Sequence, residues 1–293
     1  MNAPLPYISR IRDYYDALGY GTPYRWAEVE DVAFAPFAKP LAEARIGLVT
    51  TAAPFDPARG DQGPGAAYNG AAKFFAVYSA GADGDPDLRI AHVAYDRDHT
   101  AATDSGSWLP LRALKHLAAA GEIGGLAPRI HGLPTDRSQR RTVEGYAPDI
   151  VARCREDGVD AVLLVPNCPV CHQSCALVAN ALEEAGIPTV VIACARDIAE
   201  RVGVPRLLFS DFPLGNGAGP PHDMGAQVAT ARMALHLLVA ASEPRTTWRS
   251  PQVWPGRGEW KDDYSNAARL TAEEIAARRA AFDEAKQAAR VNR

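Results

Sequence analysis

From Arg45 onward the chain alternates short apolar runs, each closed by Gly, Pro or Asp, with longer stretches whose apolar residues recur at helical spacing. The apolar runs predict strands over Ile46–Ala52, Arg89–Tyr95, Ala161–Val165, Thr189–Ala193 and Arg206–Phe209. Between them the pattern predicts helices over Leu109–Ala120, Thr142–Asp157, His172–Ala185, Ala195–Val202 and Met224–Ala241. Strands that alternate with helices argue for a parallel sheet covered on both faces. The expected fold class is therefore α/β, a doubly wound, mostly parallel sheet with flavodoxin-like or Rossmann-like layers, with two similar α/β halves as a variant.

Residues 45–242 form this expected core. Ahead of it, residues 1–44 read as an amphipathic helix over Ile8–Leu18 and an aromatic, Pro-containing connector. Behind it, residues 243–293 read as a second aromatic connector, with Trp248, Trp254, Trp260 and Tyr264, and a helix over Ala272–Arg290. Thr271 and Glu274 open that helix at capping-box spacing, and it is expected to lie either on a neighbour or on its own domain. Two loops, Ala53–Ala71 and Arg97–Ser107, break the rhythm and read as walls of a site or as surface excursions.

Composition removes several classes. At 47% hydrophobic and 23% charged, the chain lies in the globular range. Its 31 Lys and Arg against 35 Asp and Glu give a net charge of −4, so no global positive field draws a phosphate backbone, and nucleic acid is not an expected partner. The longest apolar runs are strand-length, far short of the roughly 20 residues that cross a bilayer, so no membrane span is expected. The opening residues mix Arg and Asp with aromatics and lack the apolar block of a secretory signal, which leads us to expect a cytoplasmic, reducing location. Five cysteines, three of them within eight residues, do not make a disulfide scaffold, and leave thiol chemistry or metal binding to consider.

The informative stretch is GVDAVLLVPNCPVCHQSC, residues 158–175, with thiols at Cys168, Cys171 and Cys175. A buried strand runs out at Pro166 and a helix begins within the next few residues. Ligands of open parallel sheets sit outside the carboxyl ends of the strands, which puts Cys168 and Cys171 where a substrate binds. The free amides of a helix start favour thiolate there. Cys168 and Cys171 have the C-x-x-C spacing of a nucleophile and its resolving thiol. The same three cysteines could instead hold a metal ion or an iron–sulfur cluster with one position open, or could be small buried hydrophobes. Cys154 and Cys194 read as packing residues.

Further candidates surround them. His99 reads as a general acid or base, or as a solvated loop histidine. His172 reads as a thiolate stabiliser or a helix cap. Thr50 and Thr51, at the end of the first strand, are candidate ligands for a substrate carboxylate or ordinary strand residues. Gly215 and Asn216, in the loop Ser210–Gly219, either bring backbone and amide to a ligand or form a plain turn. The Met224–Ala241 helix reads as core.

The cysteine segment followed by AGIPTVVI, together with IGLVTTAA, LPLRALKHLAAAGEIGGLAPRIHGLP and FPLGNGAG, resembles the selenoprotein B subunits of glycine, sarcosine and betaine reductases and their D-proline reductase relative. In that family a selenocysteine opens a U-x-x-C-x-x-x-C segment, and Cys168 stands at its position here, followed by Cys171 and Cys175. The resemblance implies a reductase-type oxidoreductase that cleaves a carbon–nitrogen bond of a small amino-acid-like substrate through Cys168. Cys171 or Cys175 would resolve the adduct as a disulfide, with an external dithiol or a partner subunit as reductant. A thiol is a less acidic nucleophile and a poorer leaving group than a selenol, which favours an activated bond. Two other readings stay open. One is a desulfurase or desulfhydrase that releases sulfide from a thiocarbonyl compound, with an iron–sulfur cluster on the three cysteines. The other is a non-catalytic substrate-binding subunit whose cysteines, with a ligand such as His172, hold structural zinc. The expected partners are a small-molecule substrate, further copies of the chain and a partner subunit.

Overall fold

Strand β1 (Arg45–Thr50) is buried from its second residue to its last and lies inside an eight-stranded sheet. The computed structural model describes residues 3–63, 66, 68–135, 137–256 and 258–291. The further strands are β2 (Ala53–Pro54), β3 (Tyr78–Gly81), β4 (Leu88–Arg89), β5 (Gly125–Leu126), β6 (Arg129–Gly132), β7 (Ala161–Val165), β8 (Thr189–Ala193), β9 (Arg206–Phe209) and β10 (Thr246–Arg249). The large sheet runs β10-β9-β8-β7-β1-β6-β3, with β5 also paired to β1. All its pairings are parallel except that of β3 with β6. β2 and β4 form a separate antiparallel pair.

The helices are α1 (Tyr7–Ala17), α2 (Leu111–Ala119), α3 (Gln139–Arg141), α4 (Ala147–Glu156), α5 (Pro169–Glu184), α6 (Arg196–Val202), α7 (Met224–Ala240), α8 (Trp260–Asp263) and α9 (Ala272–Val291). Every residue of β7 and β8 is buried because both faces of the sheet are covered. On one face Val162 and Leu164 pack with Cys154, Leu182 and Ile198 of α4, α5 and α6. On the other, Leu163 and Val165 pack with Leu114 and Leu117 of α2 and Leu235 and Leu238 of α7. This is a doubly wound, mostly parallel α/β fold. One continuous sheet carries it, not two similar halves. From β1 the chain lays β6 on one side and then crosses to β7 on the other, which makes the β1/β7 junction the topological switch point.

Several elements differ from the sequence pattern. Arg89–Tyr95 is not a strand of the large sheet, since only Leu88–Arg89 pairs, and with β2. Beyond it the carbonyls of Ile90 and His92 accept from the Arg97 guanidinium at 3.0 and 2.5 Å instead of from a strand. The place beside β1 goes to β6, whose sequence RIHG is too short and polar to announce a strand. The helix read over Thr142–Asp157 starts at Gln139, where Ser138 Oγ accepts the Arg141 N–H at 3.2 Å, and passes through a π-helical turn at Thr142–Tyr146 before α4. Thr246–Arg249, within the stretch read as a connector, pairs with β9. Pro64, Gly65 and Ala67 of the long loop Ala53–Ala71 lie outside the described residues.

The two flanking segments fold back onto the core. The Ile8 amide of α1 donates to Asp197 of α6 at 2.8 Å. The connector is held by a buried ion pair, Arg206 Nη1 to Glu183 Oε1 at 2.8 Å. Arg206 Nη2 also donates to the Ala35 carbonyl at 2.8 Å, and its guanidinium lies 4.1 Å from the ring centroid of Phe34. Helix α9 lies on its own domain: Phe282 meets Tyr15 and Tyr20 edge-on at 5.4 Å, and Gly70 is packed so close to the Ala285 backbone that no Cβ fits. Among the described residues no helix is long and apolar enough to cross a membrane.

Candidate functional site

Beyond Val165 the chain leaves the sheet through Pro166 and Asn167 and reaches Cys168, an extended residue that caps α5. Cys168 Sγ accepts the N–H of Cys171 at 3.2 Å, and Pro169 fills the first turn, where no amide partner is needed. The helix thus begins at Pro169, three residues before the apolar pattern predicts, because a sulfur serves as its cap. Cys168 and Cys171 are joined as a disulfide, with Cα atoms 4.9 Å apart. Cys168 is 7% exposed, whereas Cys171 and Cys175 are fully buried. The Asn167 N–H donates to Thr51 Oγ1 at 3.1 Å and fastens the ends of β7 and β1 together.

Beside the disulfide stands His92, which no reading of the sequence singles out. Its Nε2–H donates to the Thr51 carbonyl at 2.6 Å, which leaves Nδ1 as the acceptor. Thr135 Oγ1 donates to that nitrogen at 3.4 Å and lies 3.7 Å from Cys171 Sγ. Burial pushes the His92 imidazole down to about 4, so it is neutral near pH 7. Among the described residues, His92, Cys168 and Cys171 form the group whose donor atoms, all within 4.8 Å of one another, could hold a metal ion. Cys175 is not in that group. It lies one turn deeper in the core, where burial raises its thiol pKa well above the usual range. Burial likewise raises Cys154 and Cys194 to about 12.

The remaining candidates surround this pair without facing the same space. His172 Nδ1–H donates to the Cys168 carbonyl at 2.7 Å, while Nε2 accepts the N–H groups of Cys194 at 3.2 Å and Ala195 at 3.0 Å. Both ring nitrogens are used, burial pushes the imidazole down to about 4, and the ring ties the start of α5 to the end of β8. Thr50 Oγ1 accepts the Ala52 N–H at 3.2 Å and is fully buried. Gly215 has a φ of +102°, and a Cβ there would run into the Tyr95 ring. Asn216 donates to the Pro213 carbonyl at 3.0 Å and accepts from Thr100 Oγ1 at 3.4 Å. His99 bridges Asp96 at 2.8 Å and Asp263 at 3.5 Å. Burial raises the Asp96 pKa.

A cavity of about 1130 Å³ opens over the carboxyl edge, roofed by α1, α9 and the first part of the connector. Cys168 is the one cysteine of the five in its wall, and His92 lines it too, whereas Thr50, Thr51, His99, His172, Gly215 and Asn216 do not. Seven Lys or Arg residues and four aspartates line it, so the wall is net cationic although the chain is net anionic. Tyrosines supply much of the remainder. The Arg137 guanidinium lies 5.5 Å from the ring centroid of Tyr15 and 5.9 Å from that of Phe282, and it has no carboxylate partner among the described residues.

Fold and site together define an α/β protein that carries a cysteine pair at its switch point, beneath a cationic, tyrosine-walled cavity. Residues 14–167 match the family model of the glycine/sarcosine/betaine reductase selenoprotein B, and the chain belongs to that family. The matched span ends one residue before Cys168. The chain is 34% identical over 154 residues, 52% of its length, to the D-proline reductase subunit gamma of Acetoanaerobium sticklandii, and covers 63% of that protein. It is 27% identical over 233 residues, 77% of its length, to the glycine reductase complex component B subunit gamma of Symbiobacterium thermophilum, and covers 52% of it. To the sarcosine reductase complex component B subunit beta of Peptoclostridium acidaminophilum it is 25% identical over 215 residues, 73% of its length, and covers 47% of that protein. The chain thus spans less than two thirds of the length of each of these relatives. No solved structure matches the chain.

Proposed function

We propose that this chain is a thiol-dependent reductase component whose Cys168 and Cys171 pass between dithiol and disulfide as they cleave a carbon–nitrogen bond of a small amino-acid-like carboxylate. The observation that carries this reading is the placement of the pair: Cys168 alone reaches the cavity, and Cys171, bonded to it, lies buried directly behind. Relatives named as subunits of D-proline, glycine and sarcosine reductases support it.

In the reduced state the Cys168 thiolate attacks the substrate carbon. A carbon–sulfur bond forms, and the nitrogen leaves with its electron pair and takes a proton. The Cys171 thiolate then attacks Cys168 sulfur, the sulfur–sulfur bond forms, and the carbon keeps the electron pair of the broken bond and takes a proton. The dithiol is oxidised by two electrons and the carbon–nitrogen bond is replaced by carbon–hydrogen and nitrogen–hydrogen bonds. A carbon next to a carboxyl or carbonyl group carries that electron pair best. An external dithiol, free or on a partner subunit, reduces the disulfide and restores the pair. His172 acts as a positioning residue through the Cys168 carbonyl.

The test is a single-turnover reaction of the reduced protein with D-proline, glycine or sarcosine, without added reductant. The expected result is loss of two thiols per chain, located at Cys168 and Cys171 by peptide mass spectrometry, with one equivalent of product. Undiminished product from Cys168→Ser protein overturns the reading.

A further inference from the structure

The three donor atoms beside the cavity come from two distant parts of the chain, His92 from the loop after β4, Cys168 and Cys171 from the start of α5. All three residues are buried, and their donor atoms lie within 4.8 Å of one another. The histidine is oriented as metal-bound histidines are. Its outer N–H donates to a backbone carbonyl, that of Thr51, at 2.6 Å, and the opposite nitrogen, which here accepts from Thr135 Oγ1 at 3.4 Å, has the lone pair that an ion would take in place of that hydroxyl. Thr51 is itself held, through its hydroxyl, by the Asn167 amide at 3.1 Å, so this outer support is built into the switch point.

The donor chemistry is that of a thiophilic ion. Tetrahedral zinc binds sulfur at about 2.3 Å and imidazole nitrogen at about 2.0 Å, which places donors roughly 3.5–3.8 Å apart. The donor atoms already lie within 4.8 Å of one another, and the two bonded sulfurs are closer together than that spacing. Reduction of the disulfide frees the two sulfurs to move apart to the distance an ion requires. The helix start assists, since the Cys171 amide already donates to Cys168 sulfur at 3.2 Å and favours its thiolate form. His92 and Cys168 both line the cavity, so a three-ligand ion here has its fourth position on the side where small molecules enter.

We propose that the reduced chain binds one thiophilic divalent cation of the zinc class through His92, Cys168 and Cys171, with the fourth position open to the cavity, and that the disulfide form binds none. Both thiols give up their protons to the solution on binding, and no electron is transferred. The ion and the disulfide compete for the same two sulfurs, and each excludes the other. The ion therefore protects the dithiol from oxidation and withholds it from any thiol reaction until a stronger chelator removes it. This inference does not rest on the reductase reading, because it concerns metal affinity alone.

The test is titration of the reduced protein, without oxygen, with Zn²⁺ against a chromophoric chelator, and in parallel with Co²⁺ to read the sulfur-to-cobalt charge-transfer band. The expected result is one ion per chain with two thiols shielded from a disulfide reagent, and no binding to the oxidised protein. His92→Gln and His92→Ala are expected to weaken binding at least about tenfold and to alter the cobalt spectrum, while Cys175→Ser changes neither. Circular dichroism and iodoacetamide labelling of Cys168 show that the variants are folded with an open site. The proposal is overturned if reduced wild-type protein takes up no ion, if the His92 variants bind as wild type does, or if Cys175→Ser abolishes binding.

Discussion

The amide of Asn167 donates to the hydroxyl of Thr51 at 3.1 Å, and this one bond joins the two strand ends between which the sheet changes direction. It sets the backbone from which Cys168 leaves the sheet. Replacing Thr51 by Val keeps the shape and leaves a buried N–H without a partner, at about 1–3 kcal/mol. The expected outcome is that loss of stability in urea unfolding, together with altered alkylation of Cys168 in the folded, reduced protein. An unchanged unfolding midpoint would show that the bond is not needed.

The cationic wall predicts a charge preference at Cys168. Iodoacetate carries a carboxylate and iodoacetamide does not, while both place the same carbon before the thiolate. Arg137, which has no carboxylate partner among the described residues, is expected to favour the anion by about 1 kcal/mol in a partly solvated cavity. Arg137→Gln should therefore lower the ratio of iodoacetate to iodoacetamide rates about fivefold, with the iodoacetamide rate unchanged. If neither reagent labels Cys168, the nucleophile assignment fails. If both label it and the ratio does not move, only the role of Arg137 fails.

Acid should weaken the oxidised protein through His172. Its folded-state pKa, about 4, lies below the ordinary value of 6.5, so the unfolded chain binds the proton more readily. The stability held by the neutral imidazole is complete above about pH 6.5 and is lost as the pH falls towards 4, by on the order of 3 kcal/mol. Asp96 and Asp197, raised by burial, act in the opposite sense at the acidic end. Urea midpoints measured between pH 7.5 and 4.5 should fall with pH, and His172→Gln should lessen that fall by the His172 share, leaving the share of His92, whose imidazole burial likewise pushes down to about 4.

At the other edge of the sheet, Glu183 and Arg206 form a fully buried ion pair that also ties down Ala35. Arg206→Ala strands a buried carboxylate and is expected to cost about 3–5 kcal/mol. The cysteines lie at the opposite ends of the strands, so the iodoacetamide rate of Cys168 in the folded variant should match that of wild type.

The parts of the fold that were legible in the sequence are those whose burial is uniform. Ala161–Val165 and Thr189–Ala193 are buried throughout, and apolar but for Thr189, because helices cover both faces, and their observed bounds are the expected ones. Arg129–Gly132 escaped notice because it carries the buried His131, whose Nδ1 bonds Ser79 Oγ at 2.9 Å and whose Nε2 faces Asp157 at 3.1 Å without a hydrogen bond, so a polar residue sits where an apolar one is anticipated. The cysteine pair was visible as spacing at a strand-to-helix turn. His92 was hidden for two reasons. It lies in the apolar run RIAHVAY, which looks like a strand, and its meaning comes from Thr51, Thr135 and Cys168, all of them distant along the chain.

The roof over Cys168 has a further consequence. Tyr15 and Tyr20 reach it from the first helix and the turn after it, Phe282 from the last, so the seam above the thiols joins segments separated by most of the chain. Such a seam is knitted late, since the intervening polypeptide has to be in place before its two sides can meet. It combines edge-on aromatic contacts with hydrogen bonds from Tyr20 to Asp283 and from Arg279 to the Leu18 carbonyl, and stands apart from the hydrogen-bonded ladder below. The two sides can therefore part as one cooperative unit while the sheet, the capped α5 and the paired sulfurs stay intact. The wall of the cavity beside Cys168 is thus complete only when these distant segments meet.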